Sequence, residues 1–384
     1  MNIRILLSLL LLSGFFSCKN ESKNEAASYS KIADLRERYS SGDYRKWPAP
    51  VLDSLIDKTT FEDIGVLPDM PYPKDNQKSK QKEKLGKLLF FDPRLSVSGQ
   101  IACVSCHNPE LAWTDNITRS FGHDRQTGRR NAMTILNTGY AEKLFWDGRA
   151  NSLEHQAMFP IADPVEMNEE LPKAVQRIAA LKGYQAQFKK AYGDPEVTLD
   201  RIQKAIASFE RTIKSPPSKF DRFVSGKSDA FSDQEVNGLH LYRTKARCIN
   251  CHNTPYFSDN QFHNDGQTLF GTKDEDFGRY YVTNDVVDIG KFKTPTLREV
   301  SRTGPWMHHG NFPSLLDVVQ FYDLGNPSPI QKKYLGTPRD TLIPENSPLL
   351  QELNLTKTEI EDLIAFIETL STPTRRMRAP KLPQ

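Results

Sequence analysis

Cys103-Val104-Ser105-Cys106-His107 and Cys248-Ile249-Asn250-Cys251-His252 are two copies of one five-residue pattern, and their reading decides the fold. Two thiols three positions apart lie on one helical turn, and the His behind them turns its imidazole to the same side. C-x-x-C-H is the haem c attachment pattern, in which the thiols reach the two vinyl groups of a porphyrin and the imidazole reaches its iron. Apart from Cys18, every one of the five cysteines falls in these two clusters, so no thiol is left over. Taken alone, the same cysteines suit a pair of disulfides or one four-cysteine zinc site. Zinc requires no His behind each pair, however, and a thioredoxin-type dithiol needs a βαβ pattern that the flanks lack.

The flanks repeat as well. Glu83-x-x-Gly86-x-x-Leu89 precedes the first cluster and Glu235-x-x-Gly238-x-x-Leu241 the second, which indicates duplication of a small helical domain. Ser232 and Glu235 form a capping box that starts a helix where a cytochrome c domain has its first one. Thr356 and Glu359 form another, ahead of Ile360, Leu363, Ile364 and Ile367 at one-face helical spacing, the closing helix of such a domain. In the first half, Ile202, Ile206, Phe209 and Ile213 give Leu199 to Ile213 the matching pattern, and Ser215-Pro216-Pro217 then breaks the chain. The fold class expected is all-α, with two tandem cytochrome c-like helical domains that each carry one covalently bound haem c. The boundaries read as an N-terminal domain over 77–216, a linker over 217–231, a C-terminal domain over 232–372 and a tail over 373–384. Residues 19–76 read as a polar tether and an extension, whose Pro48, Pro50, Pro68, Pro71 and Pro73 predict irregular wrapping structure.

Residues 1–18 read as an export signal of the lipoprotein type. Arg4 precedes an apolar run from Ile5 to Leu12 that is short for a membrane span, and Cys18 follows a small residue, as an acylated Cys does. The expected location is therefore the cell envelope or periplasm, with attachment to the membrane through a lipid on Cys18. At 384 residues and 38% apolar composition the chain can bury two cores. A formal net charge of +3 with mixed signs lacks the basic stripe that phosphate neutralisation needs, so nucleic acid is excluded as a partner.

Several longer stretches carry a family likeness. Leu88-Leu89-Phe90-Phe91-Asp92-Pro93-Arg94-Leu95-Ser96, Phe145-Trp146-Asp147-Gly148-Arg149, Pro164-Val165-Glu166-Met167, Thr294-Pro295-Thr296-Leu297-Arg298 and Thr303-Gly304-Pro305-Trp306-Met307-His308-His309-Gly310 are specific. Over roughly residues 80–372 the chain resembles bacterial dihaem cytochrome c peroxidases and the related MauG proteins. The resemblance implies hydrogen peroxide as substrate at the N-terminal haem, with electrons passed from the C-terminal haem. It implies Glu166 as the distal acid and base, against its plain reading as a surface Glu beside Glu169 and Glu170. His123 becomes a loop ligand that caps the oxidised N-terminal iron, and Trp146 an indole between the haems.

His107 and His252 supply the axial imidazoles, and Tyr322 falls where standard peroxidases place a Met ligand and MauG proteins a Tyr. A hard, anionic phenolate favours ferric iron, so Tyr322 predicts a low-potential second haem; Met307 is the alternative ligand. The resemblance also implies a calcium ion held by the Asn131 side chain and the Thr303 and Pro305 carbonyls, and places His308 beside the second haem. Guanidinium geometry suits Arg149 and Arg298 to haem propionates. His309 reads as exposed, and His155, His240 and His263 as ordinary histidines. The partners expected are a small cytochrome c or copper protein as electron donor, and a second copy of the chain as a homodimer. An oxidase acting on a partner protein, as MauG is, and a pure electron carrier are the competing functions.

Overall fold

The computed structural model describes residues 31–325 and 332–384; the export segment and Cys18 lie outside the described residues. A helix over 31–39 (α1) opens the described chain. The first half contains α2 (Lys80–Phe90), α3 (Cys103–Cys106), α4 (Leu153–Gln156), α5 (Met158–Ala162), α6 (Leu171–Ala179), α7 (Lys182–Tyr192) and α8 (Leu199–Glu210). The second contains α9 (Lys219–Val224), α10 (Asp233–Arg243), α11 (Tyr280–Thr283), α12 (Leu315–Asp323) and α13 (Lys357–Glu368). Among the described residues the one sheet is a two-residue ladder, β1 (Phe262–His263) antiparallel to β2 (Phe292–Lys293). Among them no helix is long and apolar enough to cross a membrane.

Local chemistry accounts for the helix starts. The Ser232 hydroxyl accepts from Glu235 N at the head of α10, and Thr356 accepts from Glu359 N at the head of α13, each completed by the reciprocal Glu bond. Thr198 caps α8 by accepting from Arg201 N. α8 closes at Glu210, with Arg211 as its cap, so Ile213 is buried beyond the helix rather than inside it.

Two equivalent crossings organise the two cores. α2 packs on α8, and a Cβ on Gly86 would lie 1.8 Å from the Ala205 carbonyl oxygen. α10 packs on α13, and a Cβ on Gly238 would lie 1.9 Å from the Asp362 carbonyl oxygen. One turn beyond each glycine an aromatic pair locks the crossing edge-to-face: Phe90 with Phe209 at 5.3 Å, and Tyr242 with Phe366 at 5.1 Å between ring centroids. Such pairs contribute about 0.5–1.5 kcal/mol beyond the area they bury.

The ends of the chain depart from the expected plan. Residues 217–231, read as a linker, hold α9, whose Phe220, Phe223 and Val224 are part of the second core. The extension is more than irregular wrapping: Leu35 and Tyr39 of α1, with Trp47 and Ile64, are buried in that same core. The tail goes the other way, since Met377 packs on the first core and the Gln384 carbonyl accepts from Gly183 N at 2.8 Å.

Gly86→Ala and Gly238→Ala are expected to force their helix pairs apart, each lowering stability by about 1–3 kcal/mol. Gly128→Ala, whose added Cβ would meet nothing nearer than 3.8 Å, is the control. Thermal unfolding of the three holoproteins checks this, and equal melting temperatures would contradict it.

Candidate active site

Each Cys-x-x-Cys-His cluster folds into a single turn that presents its groups to one cavity of about 970 Å³. His107 N donates to the Cys103 carbonyl at 3.0 Å, and His252 N to the Cys248 carbonyl at 2.9 Å. The ring of His107 places Nδ1 3.2 Å from the Trp113 carbonyl, and that of His252 places Nδ1 3.2 Å from the Phe257 carbonyl. A carbonyl only accepts, so both Nδ1 atoms carry the proton and both Nε2 atoms keep a free lone pair. Burial lowers both imidazole pKa values, which keeps the rings neutral.

Cys103, Cys106, Cys248 and Cys251 are free, and all line the cavity. Burial pushes the thiol of Cys103 up, that of Cys106 to about 11 and that of Cys248 to about 12. Among the described residues the four thiols are unpaired and do not gather into one metal-binding group. A haem c in each half fits this donor set: two thiols and one oriented, neutral imidazole per turn, facing a mostly apolar space.

Glu166 lines the cavity on the loop after α5, where its backbone N donates to the Asp163 carbonyl at 3.1 Å. Burial pushes its carboxyl up to about 7; the Asp163 charge adds to the shift and Arg149 opposes it. His123 is bound to the same loop by its backbone, its N–H donating to the carbonyls of Val165 (3.0 Å) and Glu166 (2.8 Å). Gly122 permits that approach, because a Cβ there would lie 2.0 Å from the Val165 oxygen. The His123 ring is not part of the cavity wall, and its Nε2 lies 3.4 Å from Asp124. Capping of an iron by His123 thus requires this loop to move from the conformation described.

Trp146 lies at the junction of the halves. Its indole N–H donates to the Asn131 carbonyl at 2.9 Å, its own carbonyl accepts from Lys293 N at 2.7 Å, and its ring meets His308 edge-on at 6.4 Å. Asn131, Thr303 and Pro305, the residues considered for calcium, line the cavity beside it. His308 stacks on Phe292 at 3.6 Å and is held down to about 3 by burial. Tyr322 and Met307 both line the wall. Tyr322 is also within electrostatic reach of Cys248 and Cys251, on the second cluster's side, and burial raises its phenol.

Two expectations fail on placement. Arg149 lines the cavity, but Arg298 does not. Arg298 is 1% exposed, and its guanidinium is used up by Asp221 (3.0 and 3.1 Å) and the carbonyls of Pro255 (2.7 Å) and Gly65 (2.6 Å). His309 is buried, not exposed, because its ring stacks along Phe312. Residues unremarked in the sequence also line the wall, Gln156, Glu210, Lys293 and Asp265, and so does His263, which had been read as an ordinary histidine. A signal existed for Glu210, a charge at the i+4 position from Ile206 within an apolar helical stripe. Lys293 and Gln156 carried none.

The fold and the cavity define a helix-rich protein with two c-type haem attachment turns around one cavity. Known proteins agree with that class. The sequence pattern of the family described as di-haem cytochrome c peroxidase matches residues 80–229. A cytochrome-c peroxidase of Pseudomonas sp. (strain SCT) is 39% identical over 337 residues, covering 80% of this chain and 85% of the relative. The methylamine utilization protein MauG of Methylophilus methylotrophus is 36% identical over 319 residues, covering 82% and 90%. The crystal structure of a MauG-like protein associated with microbial copper homeostasis superposes with a TM-score of 0.70 at 30% identity, covering 84% of this chain and 96% of that one. The chain belongs to the dihaem cytochrome c peroxidase and MauG family.

Removal of one partner from a buried ion pair costs about 3–5 kcal/mol, so Arg298→Gln is expected to lower the unfolding temperature markedly. The visible spectrum of whatever folds should match the wild type. A variant of normal stability with altered haem bands would return Arg298 to the haem environment.

Proposed function

We propose that this chain is a dihaem peroxidase of the cell envelope that reduces hydrogen peroxide to water. Its two halves, 77–216 and 232–372, act as cytochrome c-like domains with one haem c each, and electrons pass from the C-terminal to the N-terminal haem. The observation that carries the reading is Glu166: a carboxyl held near neutrality by burial, in the wall of the cavity that the first Cys-x-x-Cys-His turn faces. Bound haem supplies an iron to which peroxide binds and through which electrons arrive.

The chain's own residues do the proton work. Near pH 7 Glu166 is divided between its two forms, so its carboxylate can take a proton from one peroxide oxygen and its acid form can return it to the departing one. Arg149 lines the wall and faces Glu166 closely enough to stabilise its anion. The apolar wall keeps bulk water from competing for that proton. Trp146, bonded to both Asn131 and Lys293 at the junction, is positioned to shorten the electron path.

Electron supply by a small cytochrome c or copper protein, a lipid on Cys18, calcium at Asn131, Thr303 and Pro305, and pairing into a homodimer belong to the same proposal. One observation favours a second reading, oxidation of a partner protein as in MauG. Tyr322 lies on the second cluster's side of the wall, where a phenolate ligand would disfavour the ferrous state of that haem.

Spectra of the oxidised, half-reduced and fully reduced protein, each followed by peroxide, test the function. One haem should react with peroxide, Glu166→Gln should slow that reaction about 10²–10⁴-fold, and the wild-type rate should rise with pH through about 7 as the base form accumulates. Two haems inert to peroxide in every state would leave only an electron carrier. For the second haem, Tyr322→Phe is expected to raise the reduction potential while Met307→Leu leaves the spectrum unchanged. A far-red thioether-to-iron band lost in Met307→Leu would give the ligand role to Met307.

A further inference from the structure

The cavity wall holds a second buried carboxyl that the reaction above does not use. Glu210 ends α8, is 5% exposed, lines the cavity one turn beyond Ile206, and has an Oε2 that is buried with no hydrogen-bond partner. The charged and titratable groups that face it are Arg211, which caps α8, Glu154 of α4 and Cys103 of α3. Arg211 is committed elsewhere, its Nη1 lying 2.6 Å from Glu154 Oε1 and its Nη2 3.1 Å from Glu154 Oε2. Behind that pair, Asn76 Nδ2 donates to Glu154 at 2.7 Å and Lys82 Nζ donates to Asn76 Oδ1 at 3.0 Å. Glu210 and Glu166 both act on the Cys103 sulfur, so the two acids flank the same haem attachment point.

Stoichiometry gives that second acid a task. One peroxide, two electrons and two protons give two waters. The electrons come singly from a small redox protein, while Glu166 only carries the peroxide's own proton from one oxygen to the other, a net transfer of none. Both consumed protons must therefore enter a largely apolar cavity.

We propose that Glu210 is the proton store of the peroxide site, an acid that supplies one of the two protons consumed per turnover and is refilled between turnovers. The proposal rests on the peroxidase reading and extends it to proton supply. Burial holds the Glu210 carboxyl up to about 8, with Arg211 opposing and the Glu154 charge adding, so the store is full at neutral pH and empties above about 8.

Glu210→Gln keeps the shape and removes the proton. In the dihaem protein with a reduced donor, two readouts apply: the pH profile of peroxide consumption, and the pH dependence of the reduction potential of the first-cavity haem. The wild-type rate should fall above about pH 8, and its haem potential should drop through the same range as a negative charge appears nearby. Glu210→Gln should slow peroxide consumption near neutrality about tenfold or more, and both pH effects should vanish. Glu154→Gln, which removes the charge that raises Glu210 and frees Arg211 to oppose it, should move the falling limb to lower pH. A Glu210→Gln protein with both haems whose rate profile and potential superimpose on the wild type would overturn the proposal alone, as would an unmoved limb in Glu154→Gln. A wild type inert to peroxide would sink the peroxidase reading first, and this proposal with it.

Discussion

Two helix crossings at backbone contact distance are the constraint on which everything else hangs. At Gly86 over Ala205, and again at Gly238 over Asp362, one helix rides on the carbonyl of another with no room for a methyl group. That approach brings Phe90 onto Phe209 and Tyr242 onto Phe366, and each core grows from its aromatic pair. The Cys-x-x-Cys-His turn follows the first helix of each crossing by a dozen residues or fewer, so its thiols and imidazole can only face the space beside the crossing. Closer packing is thus what makes a cavity available to a group as large as a porphyrin.

The duplication was legible because its signals are local. Ser232 with Glu235 and Thr356 with Glu359 act within one turn of helix, and the structure uses both as the spacing predicts; the paired glycines were legible as a repeat, while their contacts lie across helices. What escaped the sequence depends on contacts between distant segments. Nothing near Phe220 says that it will join a core with Phe366, and nothing near Arg298 says that Asp221 will consume its charge. The site divides in the same way. Cys103, Cys106, Cys248, Cys251 and the two proximal histidines could be read from spacing, whereas Glu166 depended on family likeness and Lys293 could not be read at all, its place in the wall being set by a ladder with Phe262.

The ends of the chain cross over the duplicated plan. The N-terminal extension inserts Tyr39 and Trp47 into the second core and covers Arg243, which is 1% exposed and bonded to Asp63, Tyr39 and the Pro48 carbonyl. The C-terminal tail runs back to the first half, where the Pro383 carbonyl accepts from Arg94 at 2.8 Å. Each half is thereby fastened by a segment that adjoins the other in sequence. For the proposed peroxidase this bears on function because Trp146 and Lys293 meet at the junction of the halves, where a small change of orientation would alter the proposed electron path.

The electrostatics of the wall separate two kinds of carboxylate. Outside the wall, buried Asp92 and Asp276 and half-buried Glu154 are each paired with an arginine and have a lowered pKa, so each stays charged and holds structure together. Glu166 and Glu210 are left without an ion-pair partner, and burial raises both toward neutrality. Leaving a buried carboxyl unpaired costs stability, and a fold that needed only stability would have placed a cation or an apolar side chain at either position. Here two such groups flank one attachment cysteine. Ready proton exchange near neutral pH is what that cost secures, because a paired carboxylate has too low a pKa to accept a proton and release it again at the pH where the cavity must work.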